Sequence, residues 1–182
     1  VYNGEEVCID GPGVAAKLGI GMVYQHFMLV PTLTVAENMI LGVEPKKGCL
    51  LDLDKAREAV REVSKKYGLE IDPDAYVSDL SVGMQQRVEI LKILFKGANL
   101  LVFDEPTAVL TPQETRELYK IINNLIGEGK TIIFISHKLE EVLAISDNIT
   151  VIRRGKDVAN FKTELATKEL IANAMVGRAV LF

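Results

Sequence analysis

The amino-acid sequence predicts an α/β fold with a mostly parallel β-sheet. Apolar runs of strand length alternate with amphipathic stretches of helix length along the 182 residues, and this alternation is typical of parallel sheets. Two runs, Leu100–Phe103 and Thr131–Ser136, are so apolar that they are predicted to be buried strands. Polar residues follow them, Asp104-Glu105 and His137, at the strand ends where parallel sheets place their chemistry.

The composition is that of an ordinary globular α/β protein and excludes several classes. Hydrophobic residues make up 48% and charged residues 25%, and the formal net charge is −4. An acidic balance argues against a nucleic-acid partner, which usually requires a basic surface. Cys8 and Cys49 are isolated thiols, typical of a reducing compartment. With no signal peptide or membrane-length apolar run, we expect a cytosolic chain that reaches a membrane only through a partner.

The first part of the chain predicts a hairpin, a strand and a short helix. Asn3-Gly4 is a two-residue turn signal within Val1–Ile9, which suggests an antiparallel edge ribbon. Ile20–Tyr24 has the length and apolar character of a strand. Thr34 with Glu37 forms a capping box, so a helix is expected from Thr34 to about Gly42.

Helices dominate the middle of the sequence. Val43–Leu51 is predicted to be a linker, Asp52 to cap a helix that ends at Gly68, and Ser81 to cap the next helix. We therefore expect one partial domain over 1–182, in which a helical lobe over about 43–95 interrupts a sheet core formed by 1–42 and 96–182.

The last part of the chain returns to alternating helices and strands. The predicted elements are a helix capped by Thr111 with Pro112 at its first position, a helix over Leu139–Ile145, a hairpin of Ile149–Arg153 with Val158–Phe161, and a helix capped by Thr167.

Three motifs point to phosphate chemistry: Leu80–Arg87 opens a helix with a Ser/Gly turn, Leu100–Thr107 is a strand ending in two acids, and Ile135–Lys138 ends a strand in Ser-His. Phosphoryl transfer needs an acid that holds a metal, a group that polarises water and donors for the γ-phosphate. Together the motifs resemble the ATP-binding subunit of an ABC transporter. The resemblance implies a P-loop NTPase-like ABC ATPase fold, with ATP and Mg²⁺ as ligands.

The resemblance also assigns roles to single residues. Asp104 is expected to hold Mg²⁺, Glu105 to polarise the attacking water, and His137 to reach the γ-phosphate. Gln25 is expected to contact both Mg²⁺ and the water, and the apolar loop that follows it, to Leu33, to touch a membrane partner.

The turn formed by Ser81, Val82 and Gly83 is expected to bind the γ-phosphate held by an opposite ATP-binding half. The general family pattern is Leu-Ser-Gly-Gly-Gln, and Val82 and Met84 depart from it. Thr111 stands where most members have Asp, so communication between the two sites is expected to differ.

The phosphate-binding loop Gly-x-x-x-x-Gly-Lys-[Ser/Thr] is absent from the sequence. Gly129-Lys130-Thr131 is a decoy, because position 124 is Asn124 and the tripeptide leads into a strand rather than a helix. Since the family carries the loop upstream of the region matched here, we interpret the chain as an N-terminally truncated first ATP-binding half.

The resemblance is strongest to importers of simple sugars and nucleosides. The stretches that resemble that branch are Gly19–Phe27, Thr34–Asn38 and Met175–Arg178. A closer resemblance to its nucleoside members is found in Ser81–Ile90 and Thr107–Glu114. The implied partners are a second ATP-binding half, transmembrane permease subunits and, indirectly, a substrate-binding protein, at the cytoplasmic face of the cell membrane. A soluble ABC-type ATPase and a non-catalytic interaction domain are the alternatives.

Overall fold

The computed structural model describes residues 1–47 and 50–177, in two compact units. The first unit runs from Val1 to Ile133 and the second begins at Phe134. Cys49 and Arg178, on which two of the sequence interpretations rest, lie outside the described residues.

The helices and strands follow one another as the alternating pattern predicts. In the first unit they are α1 (Pro12–Lys17), β1 (Ile20–Val23), α2 (Val35–Ile40), β2 (Lys46–Lys47), β3 (Leu50–Leu51), α3 (Leu53–Tyr67), α4 (Val82–Phe95), β4 (Leu100–Asp104) and α5 (Pro112–Gly127). Strand β5 (Thr131–Ile135) spans the boundary, and the second unit continues with α6 (Leu139–Ile145), β6 (Asn148–Arg153), β7 (Lys156–Lys162) and α7 (Lys168–Val176).

The predicted parallel pairing is confirmed for β1 and β4. Their register runs in step along both strands and places Val23 opposite Phe103. Strand β5 completes the order β1-β4-β5. The chain therefore leaves β1 and β4 at the same edge of the sheet, and the segments after Val23 and after Phe103 begin side by side.

Burial of the strands departs from the prediction. In β4, Leu101 and Phe103 are fully buried, whereas the residues of the opposite face are only half-buried. The prediction that β5 is a buried strand is wrong: it alternates between exposed and half-buried residues, with Ile133 46% and Ile135 44% exposed. An apolar run indicates that a strand can be buried, but whether it is buried depends on other elements of the fold packing over it.

Helix starts were predicted well because they depend on local chemistry. The side chains of the expected caps each accept a hydrogen bond from the backbone N–H three residues later: Thr34, Asp52, Ser81, Thr111 and Thr167. Helix α1 and the short β2–β3 pairing within the predicted linker were not anticipated.

Helix α4 is the centre of packing in the first unit. It contacts α2, α3 and β1, and its buried residues include two polar ones, Gln86 and Glu89. Since α4 contacts the sheet as well as the other helices, the contacts do not delimit a helical lobe, and the lobe over 43–95 stays a prediction. No helix in the described part of the chain combines the length and the apolar character that crossing a bilayer requires.

The second unit has its own small core. Strands β6 and β7 form the predicted antiparallel hairpin, and Ile149, Val151 and Ile171 are buried together where α7 packs on β6.

We predict that Gly21→Ala destabilises the protein by about 1–3 kcal/mol, the usual range for overpacking a core. A Cβ atom at position 21 would lie 2.9 Å from the Cβ atoms of Ala98 and Ile93. Neither atom can rotate away, since each is attached directly to the backbone. Chemical denaturation measures the change.

The matched control is Gly13→Ala in α1, where a Cβ atom would meet nothing within 4 Å. We expect this control to be neutral or slightly stabilising because alanine favours helix. Equal effects of the two substitutions would show that β1 is not packed this closely.

Candidate functional site

Asp104 and Glu105 lie at the carboxyl end of β4, as predicted. Asp104 is half-buried and ends the strand. Glu105 has a φ of 47°, in the left-handed region, and its carbonyl oxygen accepts a hydrogen bond of 3.1 Å from the N–H of Ala108. The left-handed conformation costs a non-glycine residue about 1–2 kcal/mol, and such strain concentrates at functional sites. The turn places the Oε2 atom of Glu105 in a buried position.

Gln25 lies at the same edge of the sheet as these two acids. It is exposed and comes two residues after Val23, just as Glu105 comes two residues after the paired Phe103. The structure therefore brings Gln25, Asp104 and Glu105 to the ends of two neighbouring strands.

His137 belongs to the second unit and is exposed just before α6. The turn that presents it is organised by Ser136, whose Oγ accepts from the N–H of Lys138 (3.0 Å) and donates to Glu141 (3.2 Å). The contact of His137 with a phosphate stays a prediction. His26, the other histidine of the sequence, is exposed.

The Ser81–Gly83 turn opens α4 as predicted. The Oγ atom of Ser81 accepts a hydrogen bond of 3.3 Å from the N–H of Met84. Ser81 and Val82 are exposed and Gly83 is half-buried, so the N-terminal end of α4 is accessible.

Glu114 joins the N-terminal ends of two helices. Its Oε2 atom accepts hydrogen bonds from the N–H (2.9 Å) and hydroxyl (2.8 Å) of Thr111, the cap of α5. Its Oε1 atom accepts one of 3.1 Å from the N–H of Gly83 in α4. A negative charge at helix N-termini is favourable, and the bonds from Thr111, with a smaller contribution from Gly83, lower the pKa of Glu114. The sequence predicted the Thr111 cap but gave no signal for the contact with Gly83.

Two further contacts join α4 to the segment that follows β4. The Nε2 atom of buried Gln86 donates a hydrogen bond of 2.8 Å to the carbonyl oxygen of Pro106. Arg87 pairs with Glu117 at 2.7 Å. Pro106, the residue after Glu105, is therefore hydrogen-bonded to α4, the helix that begins at the Ser81–Gly83 turn.

The residues present fit a magnesium ion that shares its ligands with a phosphate. Mg²⁺ is usually held by one or two carboxylates together with phosphate oxygens and water. Asp104 supplies a carboxylate, and Gln25 supplies an amide oxygen. Among the described residues there is no cluster of three or more His, Cys, Asp or Glu side chains that could hold a metal.

The Ser81–Gly83 turn also fits an anionic ligand. The N–H of Gly83 already binds a carboxylate oxygen, that of Glu114, which shows that the turn accepts an anionic oxygen. The sequence contains no Gly-rich loop ending in Gly-Lys-[Ser/Thr], and the binding of a γ-phosphate at the Ser81–Gly83 turn stays a prediction.

A parallel sheet with acids at a strand end and an accessible helix start is typical of α/β domains that bind phosphates. Residues 5–108 match the family described as ABC transporter. The chain belongs to that family.

The curated relatives are transporter subunits. The chain is 58% identical over 174 residues to the nucleoside import ATP-binding protein NupA of Lactococcus lactis subsp. cremoris (strain MG1363), covering 96% of this chain and 34% of the relative. It is 55% identical over 180 residues to the guanosine import ATP-binding protein NupO of Bacillus subtilis (strain 168), covering 99% of this chain and 35% of the relative. The chain thus spans about a third of the length of these relatives.

Solved structures agree on the fold. The cbiO1 protein of Clostridium perfringens, part of the ABC transporter complex cbiONQ, superposes with a TM-score of 0.68 at 28% identity, over 91% of this chain and 65% of that one. A nucleotide-free ATP-binding cassette from an ABC transporter superposes with a TM-score of 0.71 at 23% identity, over 91% of this chain and 68% of that one.

We predict that the effect of Gly83→Ala depends on Glu114. A Cβ atom at position 83 would lie 2.7 Å from the Oε1 atom of Glu114, so alanine must displace the carboxylate. This displacement breaks the hydrogen bond from the N–H of Gly83 to Glu114, which should destabilise the protein by about 0.5–1.5 kcal/mol, the usual net contribution of one hydrogen bond. In a Glu114→Ala background the clash is absent, and Gly83→Ala should be neutral or stabilising because alanine favours helix.

Denaturation of the four proteins of this double-mutant cycle measures the coupling. If Gly83→Ala has the same effect with and without Glu114, the carboxylate does not connect the two helix ends.

Proposed function

We propose that the chain is part of an ATP-binding subunit of an ABC importer, which hydrolyses ATP to drive uptake of a small polar solute. Membership of the ABC transporter family supports this proposal, as do relatives named as import ATP-binding proteins. The observation that carries it is the placement of Asp104 and Glu105 at the end of β4, beside the strand that leads to Gln25.

Each of the predicted site residues has one task in the proposed reaction. Asp104 and Gln25 offer oxygen atoms to Mg²⁺, which when bound neutralises charge on the phosphates. Glu105 accepts a hydrogen bond from the attacking water and draws away its proton, and its tight turn fixes the direction of the carboxylate. His137 donates to the γ-phosphate.

The Ser81–Gly83 turn serves the nucleotide of an opposite ATP-binding half. The Ser81 hydroxyl and the N–H groups at Val82 and Gly83 are donors for its γ-phosphate, supported by the positive end of the α4 dipole. Because Glu114 occupies the N–H of Gly83, its carboxylate must yield when the γ-phosphate approaches.

The loop after Gln25 is the proposed docking site for the permease. Met28 is 65% exposed and Val30 38% exposed, whereas Phe27, Leu29 and Leu33 are half-buried. This loop therefore offers apolar side chains to a partner. Docking would hold the subunit at the cytoplasmic face of the membrane, with a substrate-binding protein acting through the permease.

A nucleoside is the proposed solute. Relatives named for nucleosides and guanosine are 58% and 55% identical to the chain, whereas a ribose import protein of Rubrobacter xylanophilus is 44% identical. The permease and the binding protein contact the solute, so this part of the proposal rests on kinship alone.

In the complete protein, Glu105→Gln should lower ATP turnover by about 10²–10⁴-fold, the usual contribution of a general base. ATP affinity should be kept, since glutamine preserves the shape of the side chain. Asp104→Asn should weaken the metal-dependent binding of ATP as well. Phosphate release and equilibrium binding of Mg-ATP separate the two effects.

The same change at an exposed glutamate, Glu128→Gln at the end of α5, is the control and should leave both quantities unaltered. Near-normal turnover of the Glu105 variant would remove Glu105 from the mechanism.

Deleting the gene for the protein that contains this chain should abolish uptake of radiolabelled guanosine or another nucleoside and leave ribose uptake intact. Restoring the wild-type gene should restore uptake, and restoring the Glu105→Gln form should not. Loss of ribose uptake alone would contradict a nucleoside as the solute.

A further inference from the structure

An ion pair on α4, between Glu89 and Lys92, forms hydrogen bonds with the backbone of the Gln25–Leu33 loop. Glu89 is only 1% exposed. Its Oε1 atom accepts hydrogen bonds of 2.8 Å from the N–H of Met28 and of 2.8 Å from the ammonium group of Lys92. The same ammonium group donates to the carbonyl oxygen of Met28 at 2.9 Å. Both polar groups of one loop residue are therefore bound by two side chains one helical turn apart.

This contact fixes the direction of the loop without covering its surface. Binding both the N–H and the carbonyl oxygen sets the orientation of Met28, whereas its side chain remains 65% exposed. A buried ion pair adds little net stability, because removing two charges from water offsets most of their attraction. Its structural effect is to impose one geometry, since any other would leave a buried charge unsatisfied.

A second anchor acts on Val30, two residues further along the loop. The fully buried side chain of Asn38, in α2, accepts from the N–H of Val30 (2.7 Å) and donates to its carbonyl oxygen (3.0 Å). This anchor is local, because the two residues are only eight positions apart. The contact between Glu89 and Met28 spans 61 positions and ties the loop to a different part of the fold.

The helix that holds Met28 is the one that begins at the Ser81–Gly83 turn. Helix α4 runs without interruption from Val82 to Phe95, so Glu89 and Lys92 and the turn belong to one rigid element. A force applied to Met28 therefore reaches the turn through a continuous helix.

We propose that Glu89 and Lys92 are positioning residues that couple the Gln25–Leu33 loop to the Ser81–Gly83 turn. Permease docking on the exposed side chains of this loop is transmitted through the ion pair to the turn that meets the opposite γ-phosphate. This inference rests on the proposed function, because it presupposes that a permease docks on the loop and that ATP binds at the turn.

The test uses the complete protein reconstituted with its permease in proteoliposomes. The variant is Glu89→Leu with Lys92→Met, which removes both charges and the acceptor of the Met28 N–H; replacing a buried ion pair by apolar side chains of similar volume is often neutral for stability. The matched control is Glu140→Leu with Lys168→Met, which makes the same chemical change at a solvent-exposed ion pair of the second unit. The readouts are the ratio of permease-stimulated to basal ATP turnover, the unfolding midpoint, and hydrogen exchange at the Met28 amide.

We expect the turnover ratio of the Glu89/Lys92 variant to fall by between about 5-fold and 150-fold, the range typical of coupling between sites. Its unfolding midpoint should stay at the wild-type value, and exchange at the Met28 amide should accelerate. The control should match the wild type in all three readouts.

Two results would overturn the inference while leaving the proposed function intact. One is an unchanged ratio despite fast exchange at Met28. The other is a fall in the turnover ratio accompanied by a clear fall in the unfolding midpoint. That result would mean that the pair only stabilises the fold. Absence of permease stimulation in the wild type itself would instead refute the proposed function, and the inference with it.

Discussion

The rest of the first unit depends on satisfying the polar groups buried along helix α4. A buried polar group that lacks a hydrogen bond costs about 1–3 kcal/mol. Gln86 and Glu89 occupy buried positions of this helix, and their partners are backbone groups of two different loops, at Pro106 and at Met28. The helix can therefore take only the position that brings both loops into hydrogen-bonding distance, and those loops follow β4 and β1.

This constraint explains how a site built from separate stretches of sequence keeps its geometry. Parallel pairing places the ends of β1 and β4 side by side, and α4 then holds the segment that leaves each strand. Glu114 adds a contact at the beginning of the helix, where its carboxylate binds Gly83. Each of these contacts acts on a backbone group, so each can hold the chain without filling the space that a ligand needs.

The sequence was sufficient for features that depend on neighbours along the chain. Helix caps such as Thr111 were predicted because the cap and its partner are three residues apart, and the Asn3-Gly4 turn is confirmed by positive φ angles at both residues. Parallel strands followed from the alternation of apolar runs and helices. The exposure of β5, and the contacts of Glu89 and Glu114 with distant backbone groups, depend on which elements meet in space. No periodicity or local spacing encodes such meetings, so sequence reasoning missed them. The relation of His137 to the other site residues stays a prediction.

The left-handed backbone at Glu105 has a consequence for how this protein can change over time. Glycine or asparagine would adopt a φ of 47° with less strain than glutamate. Selection for stability alone would therefore favour one of those residues at the end of β4, and either would remove the carboxylate. Under the proposed function, the protein keeps glutamate at this position although it lowers the melting temperature, and a homologue that has lost the catalytic activity should carry glycine or asparagine there instead.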